Sequence, residues 1–319
     1  MRHARAGEVR RAAVAVALAA LAVGAASAHG APLSDIPAAF LDVGTGAGAM
    51  GVAGAVVAQP TGPDAVFWNP AAVGYGAARR EFAASYGDHM GLVPCSAVSA
   101  SVPLGSEYAL GAGLLVTGDD VLREMTAVAA LARGLPAPPW CRERPTRVGV
   151  ALRGRRASYG NNESTEGQVT GDAAGGGVDL GVLVPAPCGL TLGVTGRDVV
   201  NTLRWNSSAR GSYEERVPPA LVVGVSAAPR QPLRVEVDLD KALSRDGSDA
   251  VAAGASLRAF DFAVIRAGYR RVLSDEAFDE YAVGCGAAVP AGHGRVTLDV
   301  AYLFGRLDGT LRFTLGFGL

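Results

Sequence analysis

The chain has 319 residues, of which 49% are hydrophobic and 18% are charged, and its formal net charge is −1. No basic stripe is present, which disfavours a nucleic-acid-binding surface. Beyond the N-terminal region no apolar run approaches the 18 or so residues that a membrane-spanning helix needs. The 43 glycines are unfavourable in a helical bundle and suit many strands with close packing and frequent turns.

An export signal is predicted over residues 1–28. Four arginines precede the apolar run 12–26, and Ala26-Ser27-Ala28 fits a small-residue cleavage site. A membrane anchor is the alternative interpretation. The run is short and ends in small residues instead of a charged stop, which favours cleavage after Ala28.

Residues 29–78 differ in sequence pattern from the rest of the chain. Glycines recur among small apolar residues, and apolar and polar residues do not alternate as in a strand. Asn69 followed by Pro70 predicts a helix start, because an asparagine side chain caps free backbone N–H groups and proline is tolerated at the first helical position. No phosphate-site lysine follows the glycines, so a nucleotide-binding loop is disfavoured.

From residue 79 to the C-terminus the sequence alternates with period two in segments separated by Gly, Pro, Asp and Ser. Alternation alone fits either a soluble sandwich or a membrane barrel. The segments are about ten residues long, which matches a tilted strand that crosses a bilayer. The chain also ends inside a strong strand, as closure of a barrel in lipid requires.

The sequence therefore predicts an all-β fold, a transmembrane antiparallel β-barrel of about fourteen strands over residues 79–319, in the outer membrane of a Gram-negative-type bacterium and surrounded by outer-membrane lipid. Tight connections such as 104–106, 185–188 and 229–231 are assigned to the periplasmic end, and the longer connections 157–173 and 200–216 to the outer end. The connection 134–144 is long for a periplasmic turn. The predicted strand centres are residues 84, 99, 112, 128, 150, 179, 193, 222, 236, 253, 266, 284, 299 and 315.

Within such a barrel, residues 29–78 are expected to form a luminal plug that gates or only fills the pore. The residues expected to carry this role are Asp64, Phe67, Trp68, Asn69 and Pro70. Charged side chains share one face of several strands and are expected to line a wet lumen, where opposite charges neutralise one another. The predicted lumen-lining residues are Arg234, Glu236, Asp238, Arg266, Arg295, Asp299 and Arg312.

The glycine- and alanine-rich stretch 39–55, followed by Asp-Ala-Val-Phe-Trp-Asn-Pro-Ala at 64–71, resembles the N-terminal signature of the PorV/PorQ family, outer-membrane barrels related to the FadL fatty-acid transporter. The likeness continues in 190–194, 265–270 and 296–319. The resemblance implies fourteen strands, a luminal plug and no catalytic centre. The chain departs from the family in having Pro63-Asp64 where paired acids are common, and Leu319 where a terminal aromatic residue is common in outer-membrane barrels.

Four cysteines in an exported protein invite disulfides, because the periplasm is oxidising. In the predicted topology Cys141 and Cys188 both lie in periplasmic connections, so they are a candidate pair, with free buried thiols as the alternative. Cys95 and Cys285 fall on opposite ends or faces.

No metal site, cofactor or catalytic centre is predicted. The histidines have no neighbouring ligand at metal-binding spacing, and no Gly-x-Ser-x-Gly nucleophile motif occurs. We therefore expect the protein not to be an enzyme.

The sequence leaves two functions open. The favoured hypothesis, based on the resemblance, is a PorV/PorQ-type component of protein secretion or surface attachment, with secreted proteins or secretion machinery as partners. The alternative is a FadL-like passive transporter of small hydrophobic molecules across the outer membrane, in which the segment around Phe67, Trp68 and Asn69 moves to open a path. A fold by itself does not decide between them.

Overall fold

The computed structural model describes residues 43–59, 62–77, 79–89, 91–142, 144–160, 169–230, 232–244, 247–273, 277–305 and 309–319. The predicted signal peptide, 1–28, and the first part of the predicted plug segment, 29–42, lie outside the described residues. In these ranges no helix is both long enough and apolar enough to span a membrane.

Fourteen antiparallel strands close into a barrel, which confirms the predicted fold. The strands are β1 Glu81–His89, β2 Val93–Leu104, β3 Tyr108–Gly118, β4 Leu122–Gly134, β5 Arg147–Tyr159, β6 Gly171–Pro185, β7 Leu190–Ser207, β8 Gly211–Glu215, β9 Ala220–Arg230, β10 Leu233–Ala242, β11 Asp249–Phe260, β12 Ala263–Leu273, β13 Phe278–Ala291, β14 Gly294–Gly305 and β15 Thr310–Gly318. Each of the fourteen predicted centres falls within a barrel strand. Apart from β8 and β9, strands adjacent in sequence pair with each other, and β1 pairs with β15. Strand β7 pairs with both β6 and β9, while the short strand β8 pairs with the last residues of β7.

The alternating sequence places apolar side chains outside the barrel and polar side chains inside it. On β15, Leu311 and Phe313 are 44% and 43% exposed, whereas Thr310 and Arg312 are each 3% exposed. This is the arrangement of a barrel in lipid and the reverse of a soluble sandwich. Pairing of the first strand with the last means that neither is left as an open sheet edge in the lipid.

The connections differ between the two ends of the barrel. The first residue of β1 pairs with the last residue of β15, Glu81 with Gly318, so both chain ends of the barrel lie at one end. That end has short connections, apart from 135–146, and the opposite end has the longer connections 160–170 and 208–219. We name the first end periplasmic and the other extracellular, after the loop asymmetry of outer-membrane barrels.

Residues 43–59 and 62–77, called the plug from here on, fill the lumen. The plug contains two short helices, α1 Ala47–Met50 and α2 Ala65–Trp68, and 3-10 turns at Gly62–Asp64 and Pro70–Ala72. Its valines pack with small wall residues such as Ala132 and Ala151 in the main apolar core. The hydrophobic core of this protein therefore lies inside the barrel and includes the plug.

Candidate functional site

Asn69 joins the two halves of the plug. Its side-chain oxygen accepts a hydrogen bond from the backbone N–H of Ala71 (3.0 Å), and its amide nitrogen donates to the carbonyl of Val57 (2.8 Å). Pro70 follows at the first position of a turn, so the predicted cap is present, although it begins a three-residue 3-10 turn instead of an α-helix. Trp68 makes a second link, because its indole nitrogen donates to the carbonyl of Thr45 (3.1 Å).

The plug backbone lies directly against glycines of the wall. A Cβ atom added at Gly149 on β5 would lie 2.3 Å from the carbonyl carbon of Pro70, and one added at Gly268 on β12 would lie 2.3 Å from that of Val52. At Gly181 on β6 it would lie 2.1 Å from the side-chain oxygen of Asn69. Glycine in a strand often marks such a close approach of another backbone.

Guanidinium groups of the wall hold carbonyl oxygens of the plug. Arg147 donates to the carbonyls of Ala71 (3.0 Å) and Val73 (2.7 Å), and Arg153 donates to that of Phe67 (3.1 Å). Arg312, a predicted lumen-lining residue, donates to the carbonyls of residues 43 and 44. Arg147 and Arg153 were not among the predicted site residues, although both lie on the charged, inward face of β5.

Wall acceptors hold backbone N–H groups of the plug in the same way. One carboxylate oxygen of Asp238 accepts hydrogen bonds from Val56 (2.7 Å) and Val57 (2.9 Å), and the hydroxyl of Thr314 accepts one from Ala47 (2.7 Å). The plug is thus attached to β5, β10 and β15 by polar contacts to its own backbone.

The remaining predicted lumen residues lie on the inner face around the plug. Arg266 and Asp299 form an ion pair at 2.6 Å, as expected for charges that neutralise one another across a lumen. Glu236 is buried, and its carboxylate oxygens have no hydrogen-bond partner within the described ranges. Arg234 is half-buried on β10, and Arg295 is exposed near the periplasmic end of β14.

A cavity of about 280 Å³ lies between the plug and the periplasmic parts of β1, β12, β14 and β15. Its charged lining residues are Asp64, Glu81, Arg266, Arg295 and Asp299. Asp64 is buried and accepts a hydrogen bond from the hydroxyl of Ser99 (2.6 Å). Burial raises the pKa of Asp64 from 3.8 to about 6, the Ser99 hydrogen bond opposes this rise, and the charge of Asp299 adds to it.

Asp64 is expected to make attachment of the plug pH-dependent. Because its pKa is higher in the docked plug than in water, its contribution favours docking at low pH and is lost as the pH rises through about 6. The protection of plug amides at residues 62–68, corrected for intrinsic exchange, should fall roughly tenfold between pH 5 and pH 8.

The Asp64→Asn variant should lose this pH dependence, because the amide keeps an acceptor for Ser99 and cannot ionise. Glu81 and Asp299 face the same cavity and are the same in both proteins, so the difference between the two proteins isolates Asp64. Equal pH profiles in the wild type and the variant would contradict the assignment.

An aromatic cluster lies at the extracellular mouth. The ring of Trp205 is 5.8 Å from that of Tyr159 and stacks at 6.3 Å on that of Tyr213, next to the buried Leu203. Trp205 is itself buried. Sequence patterns did not predict this cluster, because its members come from three separate strands.

The predicted bridge between Cys141 and Cys188 is not formed, since all four cysteines are free. The two connections that carry these residues do lie at the same end of the barrel and touch through other groups. The indole nitrogen of Trp140 donates to the carbonyl of Pro185 (3.2 Å), and Arg144 donates to that of Leu190 (2.9 Å). Hydrogen bonds therefore tie together the turns that the disulfide was expected to join.

Comparison with solved structures identifies the architecture. The chain is similar to the CymD monoaromatic hydrocarbon channel (15% identity, TM-score 0.62, 88% of this chain and 98% of that chain). It is also similar to the Ralstonia pickettii toluene transporter TbuX (13% identity, TM-score 0.60, 86% and 98%) and to a Pseudomonas aeruginosa FadL homologue (13% identity, TM-score 0.61, 86% and 98%). The chain folds as a FadL-like outer-membrane barrel.

The apolar outer face, the closed ring and this likeness place the protein in the outer membrane of a Gram-negative bacterium. None of the three similar proteins is described as an enzyme. No protein-family model matches the sequence, and no curated protein matches it. The finer PorV/PorQ assignment is therefore not confirmed. Within the described ranges no three His, Cys, Asp or Glu side chains come together as metal ligands.

Proposed function

We propose that this protein is a passive channel that carries small hydrophobic molecules across the outer membrane. The observation that carries the proposal is the aromatic cluster of Tyr159, Trp205 and Tyr213 on the inner side of the extracellular mouth, above a lumen filled by the plug. The likeness to a hydrocarbon channel and a toluene transporter supports it. No feature of the described residues favours the secretion role over transport.

In this proposal an apolar molecule transfers from water to the aromatic cluster. Aromatic side chains bury large areas and favour offset or tilted ring contacts, as a planar apolar ligand would make with Trp205. Ligand sites are concave and mainly apolar, with few polar groups. Below the cluster lie the ion pairs of Arg155 with Asp198 and of Arg153 with Asp179, and then the plug.

Passage then requires the plug to move. The plug is attached to the wall by hydrogen bonds from charged side chains to its backbone, each of which contributes about 1.5–3 kcal/mol net. Its apolar side chains also pack against the wall in the main core. Transport therefore requires these contacts to separate reversibly while the barrel stays closed.

Uptake of labelled toluene into proteoliposomes tests this function. The wild type should exceed protein-free vesicles, and Trp205→Ala should lower uptake roughly three- to tenfold through loss of ring contacts. Trp140→Ala, at the periplasmic end, is the matched control and should retain most of the activity. Wild-type uptake equal to that of protein-free vesicles would refute transport, and a defect confined to exported proteins in cells that lack the gene would favour secretion.

A further inference from the structure

A series of buried and partly buried hydrogen bonds connects the extracellular mouth with the plug. We propose that this series couples the extracellular mouth to the plug. Arg153 is the positioning residue of the plug, and a bulge in β7 is the element whose conformation changes. The proposal rests on the transport function above and names how that same site would be regulated.

The bulge interrupts the pairing of β6 with β7 midway along the wall. Val178 pairs with Val200, but the next pair is Leu180 with Gly196, so residues 197–199 all lie opposite residue 179. Asp198, in the middle, has a φ of 51°. This left-handed conformation costs energy for any residue with a side chain, although aspartate tolerates it better than most. Bulges re-aim side chains and break the regular ladder.

On its inner side the bulge is joined to the plug by one carboxylate. The backbone N–H of Asp198 donates to one oxygen of Asp179 (2.8 Å), and Arg153 donates to the other oxygen (2.6 Å). The same guanidinium group donates to the carbonyl of Phe67 in the plug (3.1 Å). A change at Asp198 therefore reaches the plug through Asp179 and Arg153.

On its outer side the bulge is joined to the wall beneath the aromatic cluster. The pairing of β7 with β9 ends at Arg197, and its pairing with β8 begins at Leu203. Across the interval, the Asn201 side chain exchanges two hydrogen bonds with the backbone of Val217 (2.9 Å each) and donates to the carbonyl of Asp198 (2.9 Å). The side-chain amide of Asn201 thus makes the interstrand hydrogen bonds that backbone groups make elsewhere in the sheet.

The two sides are energetically linked because the connecting groups are buried. Asp179, Asp198 and Arg155 are all buried, and Arg155 holds both oxygens of Asp198 at 2.7 Å. Separating one partner would leave a buried charge uncompensated, which is far more costly than moving the group as a unit. Trp205 and Tyr213 lie on β7 and β8 just beyond Asn201, so a ligand between their rings would displace the strands that Asn201 joins.

Hydrogen–deuterium exchange of the full-length protein in micelles tests this coupling without any ligand. In Asn201→Ala, amides of plug residues 65–73 should exchange about tenfold faster than in the wild type, since the bulge loses its tie to Val217. The matched control Asn206→Ala removes an exposed side chain from the same strand and should leave the plug unchanged. Equal plug exchange in these two variants would overturn the proposal.

A second variant guards against a general loss of structure. Asp179→Asn keeps the shape and an acceptor for Asp198 but loses the ion pair with Arg153, and it should also loosen residues 65–73 while strands β12–β14 keep their protection. In the Asp179→Asn/Asn201→Ala double variant, amides of plug residues 65–73 should exchange no faster than in the more affected single variant, because both substitutions act through the bulge. Fully additive effects would contradict coupling. Failure of toluene uptake would refute the proposed function alone, since exchange is measured without ligand.

Discussion

Gly149→Val is expected to expel the plug and open the barrel to small polar solutes. The added Cβ would lie 2.3 Å from the carbonyl carbon of Pro70 and 2.4 Å from the backbone nitrogen of Ala71. The plug cannot slip aside cheaply, because Arg147 on the same strand holds the carbonyl of Ala71. Overpacking of this kind costs about 1–3 kcal/mol even where side chains can adjust, and here the obstacle is backbone.

The measurement is the swelling rate of proteoliposomes in a small sugar, which should rise by roughly tenfold or more, as expected when the lumen of a wide barrel is freed. Gly154→Val is the matched control, because it lies on the same strand and a Cβ there has no neighbouring atom within 4 Å. A chain without residues 43–77 gives the upper limit of the leak. Swelling of Gly149→Val at the rate of Gly154→Val would show that the contact with the plug does not close the pore.

The strands could be predicted from the sequence because their signal is local. Each apolar side chain that faces lipid alternates with one that faces the lumen, as Leu311 and Phe313 do around Arg312. The period-two alternation and the length of the segments were therefore sufficient to predict the fourteen strands. The cap at Asn69 was likewise predictable, since it depends on residues two positions apart. Arg266 and Asp299 were expected on a common charged face, and they form a pair.

The contacts that position the plug were not predictable from the same patterns. Glycine is required at Gly149 and Gly268 because the plug backbone, which is distant in sequence, lies against them. Alternation within a strand does not predict such a contact. The bulge around Asp198 also breaks the period-two rule from which the strand was inferred. Shared topology also does not decide a disulfide: the turns of Cys141 and Cys188 lie at one end, where Trp140 and Arg144 donate hydrogen bonds across them, and both thiols are free.

A reversible covalent lock tests most directly whether the plug moves during transport. The Cβ position at Gly111 on β3 lies 2.9 Å from a methyl carbon of Val73 in the plug, close enough for cysteines at both positions to form a disulfide. In a background without the four native cysteines, the Val73→Cys/Gly111→Cys protein is to be oxidised, with bridge formation verified by thiol labelling.

Toluene uptake by the oxidised protein should fall to that of protein-free vesicles and return to the wild-type rate after reduction, because a plug tied to β3 cannot leave the lumen. The two single-cysteine variants control for the substitutions themselves. Uptake at the wild-type rate with the bridge fully formed would contradict a plug that must move for transport.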